Sequence, residues 1–87
     1  MTNRDVLVSL RKLRATVEAG GVQANEITEA FERLTYLLEG VDRPDEQLLH
    51  DMVNDVETVV FTRLPENQPA AVAGVLARAE AVFERYV

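Results

Sequence analysis

Apolar side chains recur at three- and four-residue steps in four segments of this chain, and glycine or proline interrupts the pattern between them. That period marks helices with one greasy side, because 3.6 residues complete a turn. In the first segment Val6, Leu10, Leu13 and Val17 form the stripe, with Leu7 beside it. Thr2 or Asn3 is placed to cap it, since a short side-chain oxygen accepts a bond from an otherwise unpaired amide of the first turn. Gly20-Gly21 ends it, glycine being free to take the left-handed backbone of a helix C′ position. The second segment carries Ile27, Ala30, Phe31, Leu34, Leu37 and Leu38 between a capping Asn25 and a closing Gly40.

Asp42-Arg43-Pro44-Asp45-Glu46 opens the third segment. It combines a capping Asp, a proline in the first turn and acids at the positive end of the helix dipole. Leu48, Leu49, Met52, Val53, Val56, Val59 and Val60 follow, up to Leu64. Thr58-Val59-Val60-Phe61-Thr62 is β-branched and aromatic, the composition of a strand. No other segment alternates with a period of two, so a strand here would have no partner, and the stretch is read as helix. Pro65 through Pro69 forms the last break. The fourth segment starts near Pro69 and carries Val72, Val75, Leu76, Ala79, Val82, Phe83 and Tyr86.

The spacing therefore predicts four helices, over about 3–19, 26–39, 43–64 and 69–87, in one domain covering residues 1–87. Amphipathic helices joined by short connectors bury their stripes against one another, which predicts an all-α, small antiparallel four-helix bundle. A chain of 87 residues hides only about 60–65% of the surface it exposes when unfolded, so little stability is in reserve.

Nine basic against fifteen acidic residues leave a net charge of −6. Phosphate recognition draws on a surplus of cations, so nucleic acid is not expected as a partner. The absence of cysteine excludes disulfides, zinc fingers, iron–sulfur clusters and thiol nucleophiles together. Charged and polar residues occupy the start of the chain where a secretory segment would be apolar. The longest apolar runs, such as Val59-Val60-Phe61 and Ala70-Ala71-Val72-Ala73, are three or four residues, against roughly 20 for a membrane span. A cytoplasmic protein with no membrane partner is expected. A single lysine, Lys12, amid abundant Ala and Val points to a GC-rich bacterial genome.

Function has to come from residues the core does not consume. Residues 2–19 carry four cations (Arg4, Arg11, Lys12, Arg14) against Asp5 and Glu18, and the remainder carries the acid. The third segment is the most acidic, and Glu46, Asp51 and Asp55 are candidates for attracting a basic protein partner. The plain alternative is a solvated face that keeps a small protein soluble. His50, four residues after Glu46, falls on the same polar side. With no second histidine, a Glu-x-x-x-His spacing and an outward direction, it reads as a surface residue that joins Glu46, Asp51 and Asp55 as a candidate for partner binding, and not as a metal ligand. Tyr36 falls opposite the second stripe, among Glu29, Glu32, Arg33 and Glu39, and a rigid amphipathic ring there suits an interface anchor.

Ala70, Ala73, Gly74, Ala77 and Ala81 form a second, smooth face on the fourth segment. Small residues at four-residue steps let another helix approach, which suggests a twofold homodimer. Val8, Ala15 and Ala19 give the first segment a fainter version. Alanine is also simply the best helix former.

Catalytic constellations are missing. Gly20-Gly21 is a bare pair and follows no strand, so it is no phosphate loop. Ser9 stands without a surrounding nucleophile motif. The Asp-Ser-Leu attachment motif of acyl carrier proteins, which the chain is similar to in size, acidity and helix count, is absent. In size and charge, though in no motif, it resembles bacteriocin immunity proteins. The expectation is a non-catalytic protein–protein interaction module with no cofactor and no metal, an inhibitor, immunity or antitoxin-like binder of a basic protein. A structural homodimer through the fourth helix is the alternative. A metal- or ligand-binding bundle, the third reading, would need polar groups inside the core.

Overall fold

A computed structural model describes residues 2–20, 24–62 and 66–87, the side chains of 24 and 25 excepted. Four helices make up the fold: α1 (Asn3–Glu18), α2 (Ala24–Leu37), α3 (Arg43–Thr62) and α4 (Gln68–Glu84). Residues 19–23, 38–42 and 63–67 connect them, five in each case. Each helix packs on two others in the cyclic order α1, α2, α3, α4, and the backbones of the diagonal pairs stay apart among the described residues. The result is the antiparallel four-helix bundle that the spacing predicts, 36 × 22 × 18 Å across.

Local chemistry explains where the helices start and stop. Thr2 caps α1 in a reciprocal box: Asp5 N donates to Thr2 Oγ1 at 3.2 Å, and Thr2 N donates to Asp5 Oδ2 at 3.0 Å. The backbone amide of Thr2, with help from its hydroxyl, holds the Asp5 carboxyl below the usual carboxylate range. Gly20, with φ +75°, follows the Ala19 cap of α1, in the left-handed region open to glycine. Pro44 and Pro69 lie in the first turns of α3 and α4, where a missing amide costs nothing. The Thr58–Thr62 stretch stays helical, its hydroxyls tied back by Thr58 Oγ1 to Asn54 O and Thr62 Oγ1 to Thr58 O. One expected cap moves: α2 begins at Ala24, so Asn25 lies inside its first turn. Leu64, Pro65 and Gly21 lie outside the described residues.

The stripes meet in one core, with Phe31 and Phe83 its largest fully buried members. Edges of two predicted stripes do not belong to it. Leu37 and Leu48 are 40% and 39% exposed. Each sits at the margin of its helix's apolar arc.

Two polar clusters tie the bundle together. At one end Asn3 Nδ2 donates to the carbonyls of Glu39 and Tyr86, both at 2.9 Å, and Glu39 N donates to Asn3 Oδ1 at 2.8 Å. The Tyr86 hydroxyl donates to Asp45 and accepts from Asp42 N at 3.2 Å. The bond to Asp45, reinforced by partial burial, pushes the Tyr86 phenol above its usual range. Further along the bundle Glu80 of α4 is buried and meets both Arg11 and Arg14 of α1.

Candidate functional site

A groove of about 670 Å³ runs between α2 and α3 on the outside of the bundle. Its α2 wall presents Glu32, Thr35 and Tyr36, and its α3 wall presents Arg43, Glu46, Gln47 and His50. Apolar side chains lie between them: Leu38, Val41, Pro44, Leu49 and Val53. Helical geometry makes the walls. Glu32 and Tyr36 are four residues apart on α2, as Glu46 and His50 are on α3, and side chains at that spacing share a face. The five-residue connector 38–42 folds the second face beside the first.

The structure thus brings together three of the five residues that the sequence nominates for partner binding, Tyr36, Glu46 and His50. Tyr36 stands 77% exposed, a large ring held up in water at the groove wall. Glu32 and Glu46 have no cation within ion-pair distance among the described residues, so their charge is free to meet a ligand. Arg43 sets a positive charge in the same groove.

Asp51 and Asp55 lie outside the groove lining. Asp51 accepts from Gln47 Nε2 at 3.0 Å, and Asp55 faces Arg78 of α4 at 3.9 Å. The expected acidic patch therefore divides, with Glu46 on the groove side of α3 and Asp55 on its α4 side.

The smooth face of α4 is four residues and not five. Ala70, Gly74, Ala77 and Ala81 are exposed, and a Cβ on Gly74 would meet nothing within 4 Å. Ala73 is only 8% exposed and belongs to the core. It turns toward α1, on the flank of α4 that carries Glu80, where the packed neighbour covers more than a single stripe.

Sequence reasoning passed over Phe61, the most exposed large apolar side chain described, at 79%. Its place between the stripe residues Val60 and Leu64 hid it, although the wheel puts it in line with His50, Asn54 and Glu57 on the outer face of α3.

No helix among the described residues is long and apolar enough to cross a membrane. Nor do those residues hold a group of three or more His, Asp or Glu placed to grip a metal ion. Comparison with protein-family models, characterised proteins and solved structures gives no match for this chain.

Proposed function

We propose that this protein is a non-catalytic, cytoplasmic protein-binding module whose contact surface is the α2–α3 groove, and that its partner is basic. The observation that carries the reading is the exposed ring of Tyr36 beside an apolar-floored groove with two carboxylates, Glu32 and Glu46, that are unpaired among the described residues. A rigid aromatic supplies contact area at small entropic cost. Unpaired rim acids speed the approach of a cationic surface and discriminate against acidic ones. An inhibitor, immunity or antitoxin-like role fits best, because a small acidic bundle can occlude a cationic site on a larger protein.

The test is affinity capture with the tagged protein and two variants, Tyr36→Ala and Glu46→Lys, followed by identification of what is retained. Both variants change exposed side chains, so the fold survives. The proposal expects a basic protein that is retained by the parent chain and lost from each variant. Retention unchanged by both would contradict it.

The second reading is a homodimer through Ala70, Gly74, Ala77 and Ala81, favoured by the open space over Gly74. An Ala77→Glu substitution separates the two, since it blocks that face and leaves the groove intact.

A further inference from the structure

The groove has a matching surface on the chain itself. Of the four cations of α1, two are consumed inside the molecule: Arg11 pairs with Glu80 and Glu84, and Arg14 with Glu18 and Glu80. Arg4 and Lys12 have no carboxylate within ion-pair distance among the described residues, and both are exposed. Val8 lies midway between them and is 41% exposed. Steps of four residues set Arg4, Val8 and Lys12 on one outward line of α1. The line reads cation, apolar, cation, the complement of an apolar-floored groove where Glu32 and Glu46 outnumber the one arginine, Arg43. Arg4 and Lys12 are two turns, about 12 Å, apart, a span comparable with the roughly 8–10 Å between packed helix axes that sets the width of a two-helix groove.

We infer that the groove receives the Arg4–Val8–Lys12 face of a second copy of this chain. The inference rests on the reading of the groove as a protein contact surface and names one occupant for it. Helix α1 contributes no residue to the groove, so each copy presents both surfaces at once. The contact is heterologous and links copies head to tail, into a ring or an open chain. Its charge pairs lie at an exposed rim, so the association is weak and salt-sensitive. A basic partner that binds the same groove competes with it and returns the chain to single copies.

Sedimentation equilibrium of the purified full chain, from micromolar to millimolar concentration at low salt, tests this. The expected result is a weight-average mass that climbs with concentration past twice the monomer value and falls back toward one in 0.5 M NaCl. Arg4→Glu with Lys12→Glu, and separately Glu32→Lys with Glu46→Lys, should each hold the mass at the monomer. An equimolar mixture of the two double variants should regain the concentration-dependent mass, because the α1 face of each variant then meets a groove of opposite charge on the other. Circular dichroism confirms folding, as all four positions are exposed. A monomer at every concentration overturns the inference, as does association that survives both double variants or is abolished by Ala77→Glu. The capture experiment is independent: a basic protein lost with Tyr36→Ala keeps the groove reading even if the chain never self-associates.

Discussion

Asn3 and Tyr86, at opposite ends of the sequence, are bonded: the Asn3 side-chain amide donates to the Tyr86 carbonyl at 2.9 Å. The same amide donates to Glu39 O, and its oxygen accepts from Glu39 N. One side chain thus joins α1 to the segments that follow α2 and α4, and satisfies backbone groups that helix ends leave unpaired. Asn3→Ala removes all three bonds and is expected to cost about 2 kcal/mol, at roughly 0.5–1.5 each less what water restores. Urea unfolding measures it. A loss below about 0.5 kcal/mol, the level of an ordinary surface change, would show the clamp to be incidental.

Tyr86 makes that end of the bundle sensitive to alkali. Its phenol is raised by the bond to Asp45, so the folded state holds the proton more tightly than the unfolded chain. The contribution is complete below the ordinary tyrosine range and is lost as pH climbs through the raised value. Thermal melts of the parent and Tyr86→Phe should differ at neutral pH and converge above that range. A constant gap would contradict the assignment.

Asp5 works in the opposite sense. Its carboxyl is lowered by the Thr2 amide and hydroxyl, so its contribution is present above the usual carboxylate range and disappears as pH falls through the lowered value. Asp5→Asn should unfold more readily than the parent at pH 7 and match it in strong acid. A gap persisting in acid would mean that the capping box is not the cause.

The buried Glu80 predicts a measurable coupling. Its side chain is 9% exposed, whereas those of Arg14 and Arg11 are 37% and 51% exposed. The arginines can turn to water when the acid is removed, so Glu80→Leu should cost about 1–2 kcal/mol, less than the roughly 3–5 typical when a fully buried pair is broken. A double-mutant cycle with Arg14→Met should give a coupling near 1 kcal/mol. A zero coupling would show that the pair only touches.

The two phenylalanines bracket the energetic range. Phe83 is fully buried and Phe61 is exposed. Phe83→Ala should cost about 3–5 kcal/mol, a large share of the roughly 4–13 kcal/mol available to a chain this long. Phe61→Ala should stay within about 0.5 kcal/mol. Similar losses at both positions would put the core in the wrong place.

The bundle was legible because apolar spacing reports each helix's own direction of burial, and because Thr2, Pro44 and Pro69 carry local start chemistry. How far a neighbour wraps around each stripe is a different quantity, set by packing between helices. For that reason Ala73 and Glu80 are buried on the α1 side of α4, while Leu37 and Leu48 stay half in water. The site follows the same division. The outward direction of Tyr36, Glu46 and His50 could be read from single wheels. Their convergence in one groove, and the departure of Asp51 and Asp55 from it, depend on how α2 folds back against α3. The Asn3–Tyr86 bond spans nearly the whole chain and leaves no local trace at either residue.

The groove as a protein contact surface is tested most directly by placing a photo-crosslinking benzoylphenylalanine at position 36 in one sample and at position 77 in another. Each is irradiated in living cells, and the adducts are weighed and sequenced. Covalent capture is expected at position 36, of a basic protein or of the α1 face of a second copy, and none at position 77. Adducts at position 77 alone, or none at position 36, would contradict it.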